Sequence, residues 1–351
     1  MRIPELLRSG DTVAILATSG PCDSGRLAAG VEAVKHMGLR PRVMESCRVR
    51  HGYLAGPDNF RIRDLHTAFA DPRVRGIFVA RGGYGAARLL GRLDYDLIRA
   101  NPKVFVGYSD VTALHVVFNQ ICEFATFHGP MPVSDFYGGC EPFTLEAFKN
   151  MVFATPDRLG TADGGFCANG TKSMINSPAR AENRERSNVF SATGRTDFEL
   201  FRSGDNYVSP SAKFLQNPSS CPLQTIFPGQ AWGPLVGGNL CILAASMGTP
   251  YELDTRGRIL FLEETGEDPY RVDRMLLQLK QAKKFSQAAG IILGDFSPQT
   301  LETLHISINE LIAAEKKPTL AGLACGHTSP SLTLPLGQNI MLDATAKTIA
   351  L

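Results

Sequence analysis

The chain of 351 residues lacks three things that would mark out common classes of protein: strong net charge, long apolar runs and clustered cysteines. The formal net charge is only +2, which leaves no electrostatic footprint for nucleic acid or for an anionic membrane. An anionic ligand would therefore have to be held by local design. No window of about 18 apolar residues exists, so no membrane span is expected. The first residues, MRIPELLRSGDTVAILATSG, hold an early Arg, an Asp at 11 and no long apolar stretch, so no signal peptide is expected either. Cysteines stand at 22, 47, 122, 140, 167, 221, 241 and 325, with no CxxC pair and no zinc-ligand spacing. Such scattering implies reduced thiols, hence a cytoplasmic protein without a metal. There is no internal repeat, and tryptophan occurs only at 232.

What is present is an ordinary globular composition, 44% apolar and 20% charged, long enough for two domains or one large one. Over the first 130 residues, short apolar runs alternate with helix-like segments. TVAILAT (12–18), a run near 40–44, GIFVA (76–80) and KVFVG (103–107) read as strands. GRLAAGVEAVKHMG (25–38) reads as a helix, and Asp58 as the N-cap of another through Phe69. This alternation predicts a parallel sheet covered on both faces, with any ligand beyond the carboxyl ends of its strands.

The stretch 156–230, rich in Ser, Asn, Gly and Pro, reads as an irregular connection with a few short strands such as TDFELF (196–201). After it, GGNLCILAASMG (237–248) leads into a helix, and RILFLE (258–263) and AGIILGDF (289–296) read as strands. YRVDRMLLQLKQAKKF (270–285) carries Val272, Met275, Leu276, Leu279 and Ala282 on one stripe. A helix over about 303–315, the strand LAGLAC (320–325) and a closing pair near 339–350 complete a second α/β unit. The expected division is 1–140, a connector over 141–232, and 233–351.

Two segments carry chemistry. In KVFVGYSDVTALH (103–115), a buried strand ends at Gly107 and a helix begins just after Ser109. A serine at such a turn exposes its hydroxyl above the sheet, and the following amide, that of Asp110, points at whatever is attacked. The pattern departs from G-x-S-x-G at Val111. Capping of the helix by Ser109 or Asp110 is the competing reading. In GIFVARGGYGAARLL (76–90), a strand runs into a glycine-rich turn whose amides form an anion-binding concavity. Gly83 is a candidate second oxyanion donor and Arg81 a candidate for a substrate carboxylate. A tight turn or a phosphate cradle explains the glycines equally well.

A nucleophilic serine needs a base, and the base needs an orienting acid. Of seven histidines, four (36, 66, 115, 305) fall within helical patterns and read as packed or surface groups. His327 follows an apolar run beside Gly326 and is the candidate base; His128, in FHGPM, is the second choice and a candidate lining residue. Glu263 ends the apolar strand RILFL, where a carboxylate stays solvated only if paired. Strand alternation allows either Glu263 or Glu264 to face a cleft, but not both. Trp232 is a candidate for stacking on a ligand ring, although a lone Trp beside Gly-Pro is more often a packing anchor.

The motifs VAILATSGP, RGGYGAARLL, VGYSDVTALH, HGP, LVGGNL, GTPYELD, LFLEETGEDPYRVDRMLLQL and GHTSPSLTLPLG, in that order, resemble the LD-carboxypeptidases. This serine peptidase family includes the microcin C self-immunity peptidases. The resemblance implies Ser109 as nucleophile, Glu263 and His327 as acid and base, and oxyanion amides at Gly83 and Asp110. It also implies an N-terminal flavodoxin-like domain, a C-terminal swivelling α/β domain, a cleft between them and a homodimer acting on a small peptide. The family's best-known substrates are murein tetrapeptides, which lose their terminal D-alanine in cell-wall recycling. The polar stretch 156–230 looks longer than the family's connector, which puts substrate identity in doubt. Rival readings are a cysteine enzyme using Cys325, a non-catalytic binder using the 81–85 loop, and an immunity protein that only sequesters its ligand.

Overall fold

The computed structural model describes residues 1–154, 215–218 and 222–351. These belong to one compact unit built on two sheets. The first sheet begins with β1 (Thr12–Leu16), β2 (Arg40–Val43), β3 (Val74–Val79), β4 (Val104–Gly107) and β5 (Thr126–His128). Their order is β2-β1-β3-β4-β5, all parallel, which is the flavodoxin-like arrangement expected. The central strands β3 and β4 are buried almost throughout, because helices cover both faces and leave no solvent side for polar residues. On one face Phe69, Phe105, Phe118 and Phe124 pack with ring centroids 4.9–6.4 Å apart. Phe78, Phe136 and Phe148 fill the other at 5.3–5.6 Å.

The second sheet holds β6 (Gln224–Phe227), β7 (Gln230–Asn239), β8 (Ile259–Glu263), β9 (Gly290–Leu293) and β10 (Thr319–Ala321). After β11 (Leu334–Leu336), the strands β12 (Asn339–Asp343) and β13 (Thr348–Ala350) return to it. Strands β7 to β10 run parallel in sequential order, while β6, β12 and β13 pair antiparallel at the two sides. The remaining strand, β11, joins the first sheet instead, antiparallel to β5 with Leu334 opposite His128. A strand from the end of the chain thus closes the edge of the sheet built by its beginning.

Helices named below are α1 (Ser24–His36), α2 (Asp58–Ala70), α3 (Tyr95–Ala100), α4 (Thr112–Gln120), α5 (Pro142–Val152), α6 (Leu240–Ser246) and α7 (Pro269–Gln281). Helix α7 buries Val272, Met275, Leu276 and Leu279 of the stripe read from the sequence, while Ala282, its fifth member, falls just past the helix end and is only half-buried. Several expectations need correction. Asp58 is the first residue of α2 rather than its cap, and its carboxylate binds Arg61 and Arg88 instead. The span 303–315 is not one α-helix: a short α-turn passes into a π-turn over Ile308–Ile312 and then a 3₁₀ turn. Strand β10 stops at Ala321, because Gly322 turns the backbone to φ +84°. The strand expected at TDFELF lies outside the described residues. Among the described residues no helix is long and apolar enough to cross a membrane.

Candidate active site

Strand β4 ends at Gly107, where any Cβ would come within 2.9 Å of Val111, so the chain can fold back sharply only on glycine. Tyr108 remains extended, and Ser109 then takes φ +66°. For a residue with a Cβ this left-handed conformation costs roughly 1–2 kcal/mol, a strain typical of functional turns. A single 3₁₀ turn over Ser109–Val111 leads into α4. Neither helical segment has a side-chain cap bond, so capping does not account for Ser109 or Asp110. Asp110 instead turns its carboxylate to the glycine-rich loop and accepts the Ala86 amide at 2.8 Å. Burial raises its pKa, against the hydrogen bonds from Ser19 and the loop amides.

The glycine-rich loop follows β3 and carries Gly83 at φ +122° and Gly85 at φ +130°. It lies directly against the serine: a methyl on Gly82 would stand 2.9 Å from Ser109 Cβ and 3.0 Å from its Oγ. Gly83 packs on Gly20, and Gly20 N donates to Gly82 O at 3.2 Å. Arg81 reaches back to donate to Pro21 O at 3.3 Å. Sequence reasoning missed Arg61, a fully buried guanidinium that donates to Gly85 O at 2.9 Å and also to Thr18 O, pinning this loop from beneath.

Glu263 closes β8 with its side chain fully buried, and its Oε2 lies 2.7 Å from His327 Nδ1. A carboxylate accepts only, so Nδ1 carries the proton and Nε2 is left with a free lone pair. Gly326 makes the pairing possible: at φ +112°, a methyl there would sit 2.6 Å from Glu263 Oε2. Burial pulls the His327 pKa down, but the hydrogen bond and charge of Glu263, with Glu264 and Asp135, outweigh it, and the net shift is upward. Glu264 points the other way, as strand alternation requires. It accepts the Cys241 amide at 2.7 Å and the Thr265 amide at 2.9 Å, serving the start of α6. Of the two glutamates, it is therefore Glu263 that pairs with His327.

The two sheets meet at this point. Asn239, opposite Glu263 in register, donates its amide to Thr112 Oγ1 at 3.0 Å, so the end of β7 docks on the start of α4. Tyr108, the neighbour of Ser109, packs its ring edge-on to His327 at 4.9 Å. Ser109 Oγ itself makes no hydrogen bond to the imidazole; such contacts often tighten only when substrate is bound. His128 ends β5, 1% exposed, with its ring 5.9 Å from Tyr108. His115 is a packed group, as expected: burial lowers its pKa to about 4, and its Nε2 lies 2.8 Å from Gly107 O.

Two readings are not supported by placement. Trp232 is exposed in the first half of β7, opposite Met341 and seven residues before Asn239, roughly 23 Å of strand from the catalytic end. It stands apart from Ser109, Glu263 and His327. Cys325 is fully buried, its thiol pushed well up by burial and donating to Leu332 O at 3.4 Å, so it is no thiolate. Nor does it share a strand with His327, since β10 has already ended.

Comparison with known proteins agrees along nearly the whole chain. Residues 13–129 match the LD-carboxypeptidase N-terminal domain, and residues 232–342 match the LD-carboxypeptidase C-terminal domain. The chain is 33% identical to the probable murein peptide carboxypeptidase of Bacillus subtilis, over 98% of this chain and 92% of that protein. Its fold is similar to that of an MccF-like protein from Bacillus anthracis, with a TM-score of 0.75 and 25% identity over 100% of this chain and 98% of the other. It is also similar to muramoyltetrapeptide carboxypeptidase from Oxalobacter formigenes, with a TM-score of 0.70 and 27% identity over 97% of each chain.

Proposed function

The chain belongs to the LD-carboxypeptidase family, and from that premise we propose that it is a serine-type carboxypeptidase that removes the terminal D-alanine from murein tetrapeptides. The observation that carries the serine mechanism is the 2.7 Å pair of the fully buried Glu263 and the half-buried His327, beside a serine held at φ +66° on a strand-to-helix turn. His327 Nε2 takes the Ser109 proton as the hydroxyl oxygen bonds to the scissile carbonyl carbon. Glu263 fixes the tautomer and stabilises the imidazolium that forms. The amides of Gly83 and Asp110 receive the oxyanion, each donor worth about 3 kcal/mol in comparable sites. The imidazolium then protonates the leaving amine, D-alanine departs, and water, activated by the same histidine, releases the peptide acyl group from Ser109. Arg81 is the group assigned to the terminal carboxylate.

The likeness to microcin C7 self-immunity protein MccF, whose solved complexes hold glutamyl sulfamoyl guanosine and aspartyl sulfamoyl adenosine, supports a second substrate class, a peptide joined to a nucleotide. Incubation with a panel of murein peptides and peptide–nucleotide conjugates, read by mass spectrometry, separates the two. Loss of one alanine mass from tetrapeptides, absent with the Ser109→Ala protein, is expected. Cleavage of conjugates alone, or of neither, overturns the murein assignment. A homodimer belongs to the same reading and is checked by sedimentation.

A further inference from the structure

Among the described residues Cys22, Cys140 and Cys241 are half-buried thiols, and their surroundings differ. Burial, then nearby carboxylates, pushes Cys140 up to about 11 and raises Cys241 as well, so both stay protonated. Cys22 instead has a second thiol and a guanidinium beside it. Its sulfur is hydrogen-bonded with Cys47, and the charge of Arg81 also acts on it. Together these outweigh burial and bring Cys22 below the ordinary thiol value.

The fold brings the pair together from two separate turns. Cys22 lies between β1 and α1, just before Asp23 caps that helix by accepting from Arg26 N at 2.9 Å. Cys47 ends a 3₁₀ turn over Glu45–Cys47 and is buried, its thiol 3.3 Å from Ile15 O. Both side chains belong to one apolar cluster. A single S–H serves either Ile15 O or the Cys22 sulfur, so Cys47 can turn its proton to Cys22 when Cys22 ionises. Cys47 is itself kept protonated first by its bond to Cys22 and then by burial. A half-buried thiol that ionises, touching a buried one that does not, is a pair in which the first reacts before the second.

We propose that Cys22 and Cys47 form a peroxide-reactive pair, with Cys22 the attacking thiol and Cys47 the resolving one. The Cys22 thiolate attacks one oxygen of hydrogen peroxide, the O–O bond breaks, and hydroxide leaves and takes up a proton. Cys22 is then a neutral sulfenic acid. Its negative charge is gone, and with it the main cause that holds the proton on Cys47. The Cys47 sulfur attacks that of Cys22, the S–S bond forms and the S–O bond breaks. The Cys47 proton leaves with the hydroxyl as water. Two thiols are oxidised to a disulfide, and the peroxide is reduced to two waters.

The residues before Cys22 carry the change to the glycine-rich loop. Pro21 O accepts from Arg81 at 3.3 Å, and Gly20 N donates to Gly82 O at 3.2 Å. Disulfide sulfurs stand about 2 Å apart, closer than any hydrogen bond allows, so closure draws Cys22 toward Cys47 and pulls on both contacts. Weaker binding of a substrate carboxylate by Arg81 is the consequence, and this consequence rests on the carboxypeptidase reading.

The test treats the unaltered protein with equimolar hydrogen peroxide, blocks remaining thiols with iodoacetamide and maps peptides by mass spectrometry. A Cys22–Cys47 crosslink reversed by dithiothreitol is expected, formed at least about tenfold faster than any oxidation of Cys140 or Cys241. In Cys47→Ser protein the reaction should stop at a Cys22 sulfenic acid, trapped by dimedone. In Cys22→Ser protein Cys47 should stay reduced. No crosslink in the unaltered protein, a crosslink to another cysteine, or oxidation of Cys47 without Cys22 overturns the pair. The unaltered protein carries the deciding arm, so misfolding of Cys47→Ser does not protect the proposal. The crosslinked protein should also show a KM for murein tetrapeptide raised about threefold or more, restored by dithiothreitol. An unchanged KM overturns the link to Arg81. A crosslink in protein that releases no D-alanine in either state contradicts the carboxypeptidase reading and leaves the thiol pair standing.

Discussion

Ser109 stands two residues beyond the end of β4, whereas His327 stands six residues beyond the end of β10. The proposed nucleophile is oriented by its backbone: the left-handed φ of Ser109, the fold-back at Gly107 and the bare Gly82 against its hydroxyl. The proposed base, His327, is oriented by a side-chain partner, Glu263, in a space that Gly326 leaves empty. Backbone strain keeps its geometry when a side chain is shortened. A paired side chain loses its geometry when the partner changes. The two halves of the site should therefore break differently.

The largest effects are expected where chemistry itself is removed. Ser109→Ala and His327→Ala should each lower kcat by roughly four to six orders of magnitude, and the double variant should be little worse, because the groups act as one unit. Steady-state kinetics checks this, and full additivity would count against it. Glu263→Gln should cost roughly 10³–10⁴ in kcat, since an amide can donate to Nδ1 and select the wrong tautomer. It should also move the pH profile. The pKa of His327 is raised above 6.5 and the base must be neutral, so kcat/KM should fall as pH drops through a value above 6.5. Without the carboxylate, that acidic limb should shift to lower pH.

Smaller effects sharpen the contrast between backbone and side chain. Gly326→Ala places a methyl against Glu263 Oε2 at an unfavourable φ. It should cost about 1–3 kcal/mol in stability by denaturant titration, and roughly tenfold or more in kcat. Smallest is Ser109→Gly, inactive yet more stable than Ser109→Ala by about 1 kcal/mol, because glycine adopts φ +66° without strain. Equal stability of the two would mean that the turn stores no strain.

The central strands were legible because a parallel sheet covered on both faces demands unbroken apolar runs, and VAIL, IFV and VFV supply them. Ser109 was legible for the same reason, as the polar residue just past such a run. The choice between Glu263 and Glu264 was not, because alternation fixes only that they diverge; the start of α6 decides it by claiming Glu264. The pairing of β11 with β5 joins segments far apart in sequence, and LPL alone names no partner. Trp232 was kept as a stacking candidate for its chemistry alone, although the direction of β7 toward GGN already carries it away from the strand's carboxyl end. Tyr108 and Asp135 were missed; an aromatic wedged between a strand-ending glycine and the serine was the available signal. Most of 156–230 lies outside the described residues.

The most direct test of the Ser109–His327–Glu263 assignment is peptide mapping after treatment with a fluorophosphonate, run on the original protein, Ser109→Ala and His327→Ala. A single adduct on Ser109, absent from Ser109→Ala and formed at least about a hundredfold more slowly in His327→Ala, is the expected result. An adduct on another residue, or labelling of Ser109 at an unchanged rate without the imidazole, would contradict it.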